Sequence, residues 1–149
     1  MIKGLNCCTV FFDNLRNGNE LIGVFDTIKP YYKKGAPTIN LCIAIFISGM
    51  FSRKDIIIDT DFKHNCQYDV LIHLKYASSS MGVILEQYSF STNNTDEIEI
   101  FNDKRIIEIG NCHLPCGLGE YRIQILIKEH ISSDWSLQYE NGFVVTNTI

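Results

Sequence analysis

Apolar residues in this chain come in short runs, and in the clearest runs they alternate with polar ones. In the segment 119–129, Tyr121, Ile123, Ile125 and Ile127 fall on one side, with Arg122, Gln124 and Lys128 on the other and Leu126 the one apolar exception. A period of two places the first set in a core and leaves the second in water. The segment 68–76 repeats this, with Val70, Ile72, Leu74 and Tyr76 opposing Asp69, His73 and Lys75, and Leu71 the exception. Both read as strands of sheets with one solvated face.

Further runs rich in Ile, Val, Phe and Tyr lie at 5–13, 20–28, 39–51, 56–58, 83–90 and 98–109, the last broken near Asn102-Asp103. The tail reads as a final hairpin, with strands at 135–139 and 143–146 around Asn141-Gly142. Turn-forming residues punctuate the runs. Asn17-Gly18 tolerates positive φ and predicts a hairpin turn, and 78–82 predicts a hairpin connection. Pro30 and Gly35-Ala36-Pro37 bracket a loop that holds Tyr31 and Tyr32. No long amphipathic helix, repeat or low-complexity segment stands out. The pattern predicts one all-β domain over 1–149, an antiparallel β-sandwich of immunoglobulin-like architecture with about eight strands.

The run 39–51 differs from the others. Ile39, Leu41, Ile43, Ile45, Ile47 and Phe51 share one face, while Cys42, Ala44, Phe46 and Met50 make the other face apolar too. Such a strand needs a cover on its second side: a loop, a short helix or another subunit. Phe46 and Met50 are therefore candidate partner contacts, and a homodimer is one way to cover them. Tyr31 and Tyr32, beside Lys33-Lys34, form a second candidate contact surface, because exposed tyrosines with basic neighbours suit a protein partner.

Composition narrows the function. Of 149 residues, 46% are hydrophobic and 20% charged, which excludes long disorder. A net charge of −4 argues against nucleic acid as partner, since phosphate binding needs a local excess of cations. The start of the chain has no signal-peptide pattern, and the longest apolar run, 41–47, is too short to span a bilayer. The expectation is a cytoplasmic protein without membrane or nucleic-acid partners, whose six cysteines are mostly reduced and buried.

Candidate chemistry is sparse. Cys112 and Cys116 stand four apart with Pro115 between them, and His64-x-Cys66 offers two more soft ligands, so these four define a candidate zinc site. The carboxylates Asp55, Asp59 and Asp61, then Asp96, Glu97 and Asp103, lack the glycine and bidentate acid of a calcium loop and read as solvated strand ends. His130, Ser132, Ser133 and Asp134 hold the residue types of a hydrolytic triad, but in one contiguous loop, whereas a triad converges from separate elements. Cys116 near His113 offers a thiol–imidazole pair without further context. No residue is assigned a catalytic role.

The opening strand and turn, followed by Leu21-Ile22-Gly23-Val24-Phe25-Asp26, and the later Gly119-x-Tyr121 before alternating apolar residues, resemble a family of small bacterial β-sandwich proteins of unknown function. The resemblance spans most of the chain by order of elements. It implies the fold and no activity, and Cys112 and Cys116 lie outside its pattern. The leading expectation is a non-enzymatic binding or interaction module with no cofactor. A zinc-stabilised domain and a small hydrolase or thiol enzyme, resting on Cys116 or His130, are the alternatives.

Overall fold

The computed structural model describes residues 1–51, 60–93 and 100–148. Its regular structure is entirely β: β1 (Leu5–Phe12), β2 (Asn14–Arg16), β3 (Glu20–Ile22), β4 (Thr27–Ile28), β5 (Tyr31–Lys33), β6 (Ala36–Met50), β7 (Gln67–Tyr76), β8 (Gly82–Ser91), β9 (Ile100–His113), β10 (Gly119–Glu129) and β11 (Ser136–Val145). The predicted run 56–58, with Asp55 and Asp59, lies outside the described residues, as do Asp96 and Glu97. No helix of the described residues is long and apolar enough to cross a membrane.

Two sheets carry the structure. In the first, β6 runs between β9 on one side and β1 and β5 on the other, all antiparallel. The second has the order β4-β11-β10-β7-β8, antiparallel except for the short parallel pairing of β4 with β11. The alternation read from the sequence fixes which faces meet. Ile39, Leu41, Ile43, Ile45 and Ile47 of β6 join Val70, Ile72 and Leu74 of β7 and Tyr121, Ile123, Ile125 and Ile127 of β10 in one core. Aromatic rings bridge the two sheets, with Phe11 and Phe143 centred 5.2 Å apart and Phe90 and Phe101 stacked at the same separation. Each such side chain, fully buried, contributes about 1.5–3 kcal/mol.

The cover over the second face of β6 comes from the chain itself. Strands β2 and β3 form a separate hairpin whose Leu15 and Leu21 pack against Phe12, Cys42 and Ala44, with Phe46 partly buried at the margin. The turn is Asn17-Gly18, both at positive φ, as the sequence predicts. For Cys42 and Ala44 a second subunit is therefore not needed.

Four boundaries differ from the sequence reading, each for a tertiary reason. The run 20–28 is two strands, because at Gly23 (φ 71°) the chain leaves the hairpin, and a Cβ there would lie 2.9 Å from Cβ of Asp13. The loop predicted at Tyr31-Tyr32 is strand β5, joined to β6 by a turn at Lys34-Gly35, both at positive φ. No break occurs at Asn102-Asp103, because β9 keeps its pairing with β6 from Met50↔Ile100 to Thr38↔His113, with one bulge opposite Leu41/Cys42. Asn141-Gly142 is not a turn either: β11 runs straight through it, antiparallel to β10, and the Asn141 amide donates to Thr9 Oγ1 of the opposite sheet.

Candidate binding site at one end of the second sheet

Antiparallel pairing of β7 with β10 sets Tyr68 opposite Glu129 at one end and Tyr76 opposite Tyr121 at the other. At each end a fully buried tyrosine near the start of a strand accepts a hydrogen bond from a backbone N–H five residues upstream. Lys63 donates to Tyr68 Oη at 3.0 Å, and Cys116 donates to Tyr121 Oη at 3.1 Å. Burial pushes both phenols up to about 12, against the lowering effect of the donated N–H groups. Both therefore stay protonated and serve as structural pins.

Beside Tyr68 lies a cleft of about 490 Å³, a size suited to a small ligand. Phe62, Tyr68 and Ile127 back it and are themselves closed to water, while the half-buried Ile2 offers apolar surface. Its rim carries Asp61, Lys63, Lys128, Glu129, Ser132 and Asp134. Lys63 pairs with Glu129 at 3.0 Å, and hydrogen bonding to that carboxylate raises its pKa. The Cys66 thiol lies 3.7 Å from the same carboxylate; its pKa is raised by burial and then by that neighbour.

Lys128 is more tightly held. Its ammonium reaches Asp69 Oδ2 at 3.3 Å, donates to the carbonyls of His130 (3.3 Å) and Ser132 (2.7 Å), and sits 5.3 Å from the centre of the Trp135 ring. These contacts match the three donors an ammonium has. Asp69 also accepts from Ser89 Oγ at 2.8 Å and lies 3.1 Å from His130 Nδ1. Burial would raise its carboxyl, but the hydrogen bonds from Ser89, His130 and Lys128 outweigh it and hold it below the ordinary value.

This geometry relocates the residues singled out in the sequence. His130 turns to Asp69 rather than to Ser132, Ser133 or Asp134. Ser89 and His130 both bind the same carboxylate, so the imidazole does not stand between a hydroxyl and an acid as a triad requires. His113 shares a hydrogen bond with Thr38 Oγ1 through Nδ1 at 3.0 Å, while the Cys116 backbone is engaged with Tyr121.

The four candidate zinc ligands do not converge. His64 stacks on Phe51 with ring centroids 3.9 Å apart, and Cys66 adjoins the Tyr68 end. Cys112 and Cys116 pack at the Tyr121 end, where burial raises the Cys112 thiol. The ten residues of β7 lie between the pairs, roughly 30 Å at the rise of an extended strand. Among the described residues no group of three His, Cys, Asp or Glu side chains is placed to hold a metal ion.

The partner-contact candidates also separate into two places. Tyr31 and Tyr32 pair with Thr38 and Pro37 near the start of β6, whereas Phe46 and Met50 lie toward its other end. Tyr31 and Tyr32 are exposed, and their hydroxyls are anchored: Tyr31 contacts the side-chain amides of Asn40 and Asn111, and Tyr32 accepts from Asn147 at 3.2 Å. Phe46 carries Lys104 5.8 Å from its ring centre, and Met50 is exposed opposite Ile100.

Sequence reasoning missed the cleft. Asp61, Lys63, Lys128, Glu129 and Asp134 are ordinary solvated charges in one dimension, and the β7–β10 register and the fold of the N-terminus bring them together. The one local signal was the Lys128-Glu129 pair ending an otherwise clean amphipathic strand. No protein-family model matches the chain, and a search of curated proteins finds no similar sequence.

Proposed function

We propose that this protein is a non-enzymatic binding module, cytoplasmic, with the architecture of an immunoglobulin-like sandwich, akin to the small bacterial β-sandwich family that its opening and Gly119-x-Tyr121 segments resemble. Two sheets around one core fit a sandwich. A buried tyrosine at the start of a strand, hydrogen-bonded to backbone a few residues upstream, is a feature of immunoglobulin-like domains, and Tyr121 has that arrangement. The observation that carries the binding role is the cleft beside Tyr68, backed by apolar side chains and rimmed by charged ones, of which Lys63 and Lys128 are held in ion pairs. Amide chemical-shift mapping against a panel of small amphiphiles tests it. Shifts confined to residues 60–63 and 127–136 are expected, and shifts scattered over the surface or absent defeat the reading.

A protein partner at the Tyr31–Tyr32 edge is the second reading. It is favoured by anchored hydroxyls that leave rigid aromatic rings exposed next to Lys33 and Lys34. If a second copy is that partner, light scattering finds a dimer in the native protein and a monomer in a Tyr31→Ser, Tyr32→Ser variant. A monomer throughout removes the homodimer.

A further inference from the structure

We propose that the cleft beside Tyr68 binds an organic cation, an alkylammonium or alkylguanidinium group carried on a short apolar stem. This rests on the cleft being the binding site and adds the chemistry of what enters it. Both lysines of the rim are already matched. Lys63 is paired with Glu129, and Lys128 directs its donors to Asp69, His130 and Ser132. An anion would find no uncommitted ammonium there among the described residues.

The carboxylates are not balanced in the same way. Asp61 accepts one backbone N–H, from Lys3 at 3.2 Å, and no ion pair involves it among the described residues. Asp134 accepts no hydrogen bond and forms no ion pair among the described residues, although its own backbone is fixed by a bond to Ser132 Oγ at 3.1 Å. Asp61 is likewise anchored through its N–H to the carbonyl of Lys3 at 2.8 Å. Two carboxylates are thus held in place on the rim of one cleft without a close ion-pair partner among the described residues, Asp61 sharing only the longer-range field of Lys63, and Ile2 offers apolar surface in the same cleft. A cation satisfies those carboxylates, while its stem covers Ile2 and the aliphatic parts of Lys63 and Lys128.

The test is an NMR titration at low salt with three probes of one size: pentylammonium, pentanoate and pentanol. Pentylammonium should shift the amides of residues 60–63 and 127–136 and bind at least about tenfold more tightly than pentanoate. Asp134→Asn and Asp61→Asn should each weaken it about threefold, as expected for exposed charge pairs, and 0.5 M salt should remove most of the preference. Both positions are exposed, and an unchanged spectrum elsewhere shows that the variants fold. If pentanoate or pentanol binds as well as pentylammonium, or if neither Asn variant weakens pentylammonium, the charge inference is overturned while the cleft stands. If none of the three probes shifts these amides, the binding site itself is refuted.

Discussion

At one end of the second sheet Tyr121 ties its turn with two hydrogen bonds; at the other, Tyr68 accepts a similar bond and has a cleft beside it. Tyr121 accepts from the Cys116 N–H and donates to the Gly117 carbonyl at 2.7 Å, so the 114–119 turn folds back on its own strand. Two residues before each tyrosine the chains differ. Gly119 takes φ 135° and lets the turn pass over Tyr76, whose hydroxyl would be 2.7 Å from an added Cβ. Its counterpart, Cys66, has a side chain and is braced sideways instead: Thr92 accepts its N–H at 2.9 Å through Oγ1 and donates its own N–H to the Cys66 carbonyl at 2.8 Å. The same tyrosine device thus stands in two settings: with Gly119 two positions upstream and the turn tied to its own strand, or with Cys66 there, tied to the end of a neighbouring strand, and a cleft alongside.

The largest test of this contrast is backbone freedom. Gly119→Ala should cost about 3 kcal/mol in urea unfolding, from the disfavoured φ and the contact with Tyr76, whereas Cys66→Ala should cost about 1 kcal/mol from the lost apolar contacts. Equal costs would break the comparison. Next, Tyr121→Phe removes an acceptor and a donor together and should cost about 2 kcal/mol, against about 1 kcal/mol for Tyr68→Phe, which strands the Lys63 N–H.

Ionisation distinguishes the ends more finely. Asp69, at the Tyr68 end, is held below the ordinary 3.8, so it favours the folded state above that pH and the contribution fades as the pH falls through the lowered value. Asp69→Asn should therefore cost about 1.5 kcal/mol at pH 7, a modest figure because His130 reaches into solvent. The cost should vanish in acid; if it persists there, packing rather than charge is responsible. Alkali affects both ends alike. The two phenols are raised from 10.0 to about 12, so the neutral form favours folding below pH 10 and that contribution is lost between pH 10 and 12. In alkaline titrations followed by circular dichroism, each Tyr→Phe variant should lose part of that pH dependence. The smallest expected effect is that of a chelator: with the His64–Cys66 and Cys112–Cys116 pairs about 30 Å apart along β7, excess EDTA should leave the melting temperature unchanged, and a clear drop would reinstate a metal.

Much of the fold was legible because alternation is a local signal. The faces of β7 and β10 and the Asn17-Gly18 turn needed no knowledge of the rest of the chain, and the two-sided strand β6 announced that something must cover it. What covers it, Leu15 and Leu21 on a hairpin of three-residue strands, was too short to stand out. The false turn at Asn141-Gly142 shows the opposite error, since a strong local signal yields when a neighbouring strand supplies pairing on both sides of it. The cleft was least legible. Lys128 and Asp69 are far apart in sequence and meet only through the register of two strands, and nothing in their local context marks them as partners.

The parallel pairing of β4 with β11 and the bonds of Gln138 to Ile2 and Leu5 also set a timetable for biosynthesis. β1 and β4 leave the ribosome early, yet their partners in residues 136–145 emerge more than a hundred residues later, many seconds at ordinary elongation rates of about 5–20 residues per second. Until β10 emerges, the inner face of β6 lacks the part of its cover that Tyr121, Ile123, Ile125 and Ile127 supply. Exposed apolar strands are prone to aggregate while they wait, so synonymous codon changes that delay β10 and β11 should lower the soluble yield without altering a residue.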